Sequence, residues 1–249
     1  MRPACPVLFA ALLAHSPSLA AEASVAVAAN FTAPAQEIAA RFKAQTGHEI
    51  HLSFGSSGQL YAQIMQGAPF DILLSADAAR PAQAENDGLA VPGARFTYAI
   101  GKLILWSADP ALIDDQGLVL QNGKFSHLAI ANPEAAPYGA AALQTLKALG
   151  VYEHIASKIV QGESISQAYQ FTASGNAQIG FVALSQLTGP ATGSRWAVPE
   201  NLYTPILQDA VLLKHGARND AALAFLDFLK SPQGVSIIAA HGYATPSGK

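Results

Sequence analysis

Four short segments of the chain gather hydroxyl, amide and glycine residues and hold no Lys, Arg or His. They are "AANFTAP" (Ala28 to Pro34), "FGSSGQ" (Phe54 to Gln59), "NPEAAPYGAA" (Asn132 to Ala141) and "GESISQA" (Gly162 to Ala168). Asn30, Thr32, Ser56, Ser57, Tyr138, Ser164 and Ser166 offer side-chain donors, while Gly55, Gly58 and Gly139 let backbone approach a ligand closely. Glu134 and Glu163 are their only carboxylates and stand in separate segments. A fully ionised oxyanion needs donors alone, whereas a protonated one also needs an acceptor, so this set of groups favours the former. About six or seven bonds from neutral donors to a charged ligand, at roughly 1.5–3 kcal/mol each, exceed the ~8–12 kcal/mol of micromolar to nanomolar binding. Desolvation and ordering consume the surplus. A dianion can therefore be held reversibly without a salt bridge.

Each segment falls where a strand pattern gives way to a helix pattern. The strand "ASVAVAAN" feeds "FTAPAQEIAARFKAQTG", in which Ala35, Ile38, Ala39 and Phe42 share one face, Thr32 is placed to cap, Pro34 lies in the first turn and Gly47 stops the helix. "HEIHLSF" leads into a helix with Leu60 and Ile64 on one face, and "FDILLSA" is the third strand. "HLAIAN" precedes the helix of "PYGAAALQTLKALG", and "SISQAYQFTASG" precedes the strand "AQIGFVAL". This alternation predicts an α/β fold with mainly parallel sheets. In such a sheet ligands bind where strands end and helices begin, at the positive ends of the helix dipoles. Two long apolar runs, "RFTYAIGKLILWSAD" and "LYTPILQDAVLLKHG", are long enough to cross between two lobes. The expected layout is a signal peptide at 1–23, one lobe over 24–102 and 208–249, and a second lobe over 103–207, with the last two helices returning to the first lobe.

The start of the chain has the features of an export signal: Arg2, the apolar "VLFAALLA", then small residues suited to cleavage near Ala20 to Ala23. The apolar stretch is shorter than the ~20 residues of a membrane span. Cys5, the one cysteine, lies within the expected signal ahead of that stretch, so the mature chain is expected to have no disulfide, thiolate metal site or cysteine nucleophile. A net charge of −3 and 12% charged residues provide no basic field for nucleic acid. "GSSG" falls short of the G-x-S-x-G nucleophile elbow, which weakens the reading as a secreted serine hydrolase. His48 and His51 point to opposite faces of a strand, and Asp71 and Asp77 are placed for capping and turns rather than for metal. Trp106 and Trp196 are expected as packing residues.

"VAVAANFTAPAQEIAARFKAQTG", "SFGSSGQLYAQIMQGAPFDILLSAD", "NPEAAPYGAAALQTLKALG" and "GFVALSQ" together resemble the periplasmic molybdate-binding proteins of bacterial ABC uptake systems, over essentially the whole mature chain. The resemblance implies a two-lobed periplasmic binding fold of class II type that closes over molybdate or tungstate without altering it. It further implies that Asn30, Ser57, Tyr138 and Ile165 contact the oxygens of the ion, none of them being a direct metal ligand, with Tyr138 and Ile165 offering backbone amides. Also implied are a periplasmic location, no catalysis, no resident cofactor, a monomer, and a membrane permease with its ATPase as partners. Many members carry a tyrosine where this chain has Ala183, and the Tyr138 hydroxyl is the expected replacement for that donor. Sulfate or another tetrahedral oxyanion is the alternative cargo.

Overall fold

Val25, Ala26 and Val27, with Ile72, Leu73 and Leu74, form unbroken apolar runs because their strands are buried on both faces. The computed structural model describes residues 20–187 and 192–246. Its first half runs β1 (Glu22–Ala28), α1 (Thr32–Thr46), β2 (Glu49–Gly55), α2 (Ser57–Met65), β3 (Ile72–Leu74), α3 (Ala79–Asn86) and β4 (Phe96–Gly101). Lys102 alone separates β4 from β5 (Leu103–Ser107). There follow α4 (Val119–Asn122), β6 (Leu128–Ala131), α5 (Pro137–Ala148), α6 (Tyr152–Ile155), β7 (Ile159–Gly162), α7 (Ile165–Ala173), β8 (Ile179–Ala183) and β9 (Ser194–Ala197). The chain then returns through β10 (Ile206–Leu212) and ends with α8 (Asp220–Lys230) and α9 (Pro232–Ala240).

These elements build an α/β fold of two lobes, each around one five-stranded sheet: β2-β1-β3-β10-β4 in the first and β7-β6-β8-β5-β9 in the second. The sheets are mixed, which corrects the expectation of mainly parallel ones. β1 pairs in parallel with β2 and β3, and β6 with β7 and β8. β10 runs antiparallel to β3 and β4, and β5 antiparallel to β8 and β9. The reason lies in the crossings: β5 and β10 arrive directly from the other lobe and enter against the direction of the local βα units. The first core places Phe42 edge-on to Phe225 at 5.4 Å and packs Phe31, Ile38 and Ile238 around it, so α8 and α9 close the first lobe. The second gathers Leu105, Leu128, Ile130, Leu146 and Phe181.

Local signals set the helix ends. Gly47 ends α1 in the left-handed region at φ 76°, where a side chain would be strained. Thr32 does not cap: a short 3-10 turn over Ala29–Phe31 intervenes, and the Thr32 hydroxyl donates back to the Ala29 carbonyl at 2.8 Å. Ser164, Asn219 and Ser231 cap α7, α8 and α9. Residues 1–19 of the expected signal segment, Cys5 included, lie outside the described residues, and Glu22 and Ala23 are the first rungs of β1, paired with Glu49 and Ile50. None of the described helices is long and apolar enough to cross a membrane.

Candidate functional site

The four chemistry-bearing segments all sit at the C-terminal ends of parallel strands: β1 into α1, β2 into α2, β6 into α5 and β7 into α7. The chain thereby aims the starts of helices from both lobes at one small space. That cavity is lined by Ala28, Ala29, Asn30, Gly55, Ser56, Ser57, Ala76, Ala136, Pro137, Tyr138 and Ile165. Its volume is ≈ 10 Å³, far below the ~300–1,000 Å³ of ordinary small-molecule pockets, which leaves no room for a sugar or an organic acid. No Lys, Arg, His, Asp or Glu is among its lining residues.

Backbone supplies one class of donor. Ser57 and Ile165 are the first residues of α2 and α7, and Tyr138 is the second of α5, so their N–H groups have no carbonyl a turn earlier in their own helix. Pro137 begins α5 without an N–H that would need a partner. Gly139 permits this packing, since a Cβ there would stand 2.1 Å from the Ala131 carbonyl oxygen at the end of β6.

Side chains supply the other. Ser57 Oγ accepts from the Ala76 amide at 2.9 Å and keeps its own hydrogen to donate. Ser56 stands at the N-cap of α2 in a capping-box arrangement with Gln59, whose Oε1 accepts from the Ser56 amide at 3.4 Å. Its oxygen faces the Gln59 amide in that box without closing a true hydrogen bond, and the hydroxyl has no hydrogen-bond partner among the described residues, although Ser56 is only 3% exposed. A buried hydroxyl left without a partner is costly. Ser56 was visible in the sequence as one donor among seven, and its isolation shows only in three dimensions.

The structure places the expected site residues with different roles. Asn30, Ser57, Tyr138 and Ile165 all line the cavity. The Asn30 side chain is engaged: Nδ2 donates to Gln208 Oε1 and to Tyr243 Oη, each at 2.9 Å. The Asn30 backbone carbonyl accepts from the Tyr243 hydroxyl at 2.7 Å and the Ser185 hydroxyl at 2.8 Å. Tyr138 is fully buried, and its hydroxyl accepts from Gln208 Nε2 at 3.2 Å. Thr32 and Ser166 both donate to the Ala29 carbonyl, so neither hydroxyl is spare. Ala183 closes β8 with its amide donating to Gln186 Oε1 at 2.9 Å. Gln208, Tyr98, Tyr243 and Ser185 were missed from the sequence; the one available signal was a polar Gln-Asp pair interrupting the apolar run "PILQDAVLL".

Burial pushes the Tyr98 and Tyr138 hydroxyls well above their ordinary pKa, with the neighbouring Tyr243 hydroxyl adding to the effect. Burial also raises Tyr243. All three stay neutral at physiological pH, so these hydroxyls offer dipoles rather than charge.

The charged groups stay on the rim. Arg80 pairs with Asp77 and donates from Nη2 to the Glu134 carbonyl at 2.9 Å, and Gln59 Nε2 donates to Glu163 Oε2 at 3.0 Å. The Glu134 and Glu163 residues are exposed. With the Gly58 amide donating to the Ala135 carbonyl at 2.9 Å, these contacts fasten α2 of the first lobe to the β6–α5 and β7–α7 loops of the second. Asp71 holds the Ser24 amide at 2.7 Å and pairs with His215, Asp77 organises the start of α3, and Trp106 stacks on Tyr169, all structural tasks. Among the described residues no group of three or more His, Cys, Asp or Glu is arranged to hold a metal ion.

Two lobes, two strand crossings and a small uncharged cavity ringed by helix starts define a solute-binding protein. Residues 23–244 match the model of the bacterial extracellular solute-binding proteins, and the chain belongs to that family. It is 58% identical over 229 residues to the molybdate-binding protein ModA of Rhodobacter capsulatus, covering 92% of this chain and 90% of that protein. It is 29% identical over 237 residues to ModA of Escherichia coli, with 91% of each covered. The solved periplasmic molybdate-binding protein of Azotobacter vinelandii superposes with a TM-score of 0.88 at 46% identity, over 90% of this chain and all of that one. These relatives are solute-binding proteins, not enzymes, and the serine-hydrolase alternative falls with that finding.

Proposed function

We propose that this chain is the substrate-binding component of a bacterial ABC importer and binds molybdate, and tungstate equally by geometry, in the cavity between its lobes. The observation that carries the reading is the Ser56 hydroxyl, buried without a partner on the wall of a cavity that has no charged lining residue. In the proposed complex Ser56 and Ser57 donate through their hydroxyls, and Asn30, Ser57, Tyr138 and Ile165 through first-turn or loop amides, to the oxygens of the dianion. Four helix starts add their dipoles. The Tyr138 hydroxyl accepts from Gln208 and so keeps its own hydrogen, and it and the Ser56 hydroxyl, both on the cavity wall, stand in for the donor lost at Ala183. Phosphate, which carries a proton near neutrality, finds no carboxylate acceptor because the Glu134 and Glu163 residues are exposed. Sulfate is rejected by fit, since it is the smaller tetrahedron.

The protein works as a periplasmic monomer delivering its ion to a permease and ATPase, with no resident cofactor. Export uses an N-terminal signal cleaved at or before Ala21, because the Ala21 carbonyl already accepts from the Glu49 amide at 2.9 Å beside β1. The expected bounds, lobe 1 over 24–102 and 208–249 and lobe 2 over 103–207, shift slightly with the strands: lobe 1 starts at Glu22 with β1 and resumes at Ile206 with β10. Calorimetric titration of the mature protein with molybdate, tungstate, sulfate and phosphate tests the reading. Tight binding of the first two alone is expected; equal binding of sulfate would refute it.

A further inference from the structure

One side chain beneath the cavity reaches into both lobes. Gln208 lies on the returning strand β10, beside a register shift between Gln208 and Asp209 of the kind that re-aims side chains, and is fully buried. Its carbonyl end serves the first lobe, where Oε1 accepts from Asn30 Nδ2 at 2.9 Å and from the Tyr98 hydroxyl at 3.1 Å. Its amide end serves the second, where Nε2 donates to the Tyr138 hydroxyl at 3.2 Å. Both partners that it joins, Asn30 and Tyr138, line the cavity on opposite sides.

We propose that Gln208 is a positioning residue that couples closure of the lobes to retention of the ion, by latching the start of α5 to the β1 loop through Tyr138 and Asn30. The inference rests on the oxyanion-binding reading above. The lobe 1 contacts of Gln208 are supported independently of closure: Tyr98 also reaches the Ser75 carbonyl at 3.2 Å, and Asn30 is also held by Tyr243. The bond to Tyr138 is the one that closure makes and opening breaks. Space around it is tight, since a Cβ on Gly101 would stand 2.1 Å from the Tyr138 hydroxyl and 2.7 Å from Gln208 Nε2. A water has no room to replace the amide in the closed form, whereas separation of the lobes exposes the hydroxyl to solvent. Loss of Gln208 therefore leaves the buried Tyr138 hydroxyl short of one partner in the closed form only, with Tyr243 its remaining neighbour, and shifts the balance toward opening. The Gln208 side chain touches no ion in this scheme, so it governs escape rather than encounter.

The test measures release of radiolabelled molybdate into excess unlabelled ion, together with equilibrium affinity, for wild type, Gln208→Leu, Tyr138→Phe and the double variant. The expected result for Gln208→Leu is dissociation about tenfold faster, the equivalent of one buried hydrogen bond, with association changed less than about twofold. Tyr138→Phe should behave alike, and the double variant should be no worse than Gln208→Leu, because the Gln208–Tyr138 bond is lost in each and Gln208→Leu already removes the two lobe 1 contacts besides. Should Gln208→Leu fail to fold, Gln208→Asn, too short by one methylene to reach Tyr138, carries the same expectation. Unchanged dissociation, or losses that add in the double variant, would overturn the proposal. A wild type that binds no molybdate overturns the functional reading and this inference with it, whereas tight wild-type binding with unaltered variants overturns this inference alone.

Discussion

Replacing Ser56 with alanine separates binding from folding. In the structure the Ser56 hydroxyl is buried at 3% exposure and has no hydrogen-bond partner among the described residues, so its removal takes away an unsatisfied group. Stability should hold or rise. With the dianion bound, the same substitution deletes a hydrogen bond to a charged acceptor, about 1.5–3 kcal/mol, or roughly 10- to 150-fold in affinity. Calorimetric titration gives the affinity, and thermal unfolding without ligand gives the stability. The two readouts are expected to move in opposite directions or the second not at all. If Ser56 acts chiefly as the cap of α2, its loss costs ~1 kcal/mol of stability and lowers the Tm by about 2–4 °C for a chain of this size. A lowered Tm with affinity unchanged within about twofold would refute the reasoning.

Gly58→Ala adds a Cβ 2.9 Å from Ala135 Cα in the facing lobe and 3.0 Å from Arg80 Nη2, so closure should be obstructed and molybdate affinity should fall about tenfold or more. Unfolding of the ligand-free protein should be unchanged or harder, since alanine favours helix α2 by up to ~1 kcal/mol; unaltered affinity would mean that this contact plays no part in binding. Burial and the 2.6 Å hydrogen bond to Asp87 push the Tyr61 hydroxyl up to about 12, and burial raises Tyr98, Tyr138 and Tyr243 as well. Because the folded pKa lies above the unfolded value near 10, this stability is fully present below about pH 10 and is lost as pH rises from there through about 12. Denaturant midpoints measured across the alkaline range should decline from pH ~10 upward in wild type and less steeply in Tyr61→Phe; parallel curves would contradict the assignment.

Much of the fold is legible because its signals are local. The apolar runs of β1 and β3, the Gly47 stop and the Ser231-Pro232 start of α9 each rest on a few neighbouring residues. The crossing through Lys102 was legible as well, because a run of 15 residues is too long for one ordinary strand. Strand direction was not, since nothing local to β5 or β10 records which neighbour each pairs with. The same division holds at the site. The helix-start residues of the cavity could be read from where the strand and helix patterns meet. The commitment of the Asn30 side chain to Gln208 and Tyr243, 178 and 213 residues away, depends on long-range contacts that no window of sequence contains, and the lack of a partner for the Ser56 hydroxyl likewise shows only in the folded chain.

The most direct measurement is a crystal structure of the mature protein grown with molybdate, with the anomalous signal of molybdenum locating the ion. The account predicts a single site in the cavity, its oxygens within about 2.6–3.2 Å of the Ser56 and Ser57 hydroxyls and of the amides of Ser57, Tyr138 and Ile165, with Gln208 still bonded to Tyr138. An ion found elsewhere, or one bound by a lysine or arginine side chain, would contradict it.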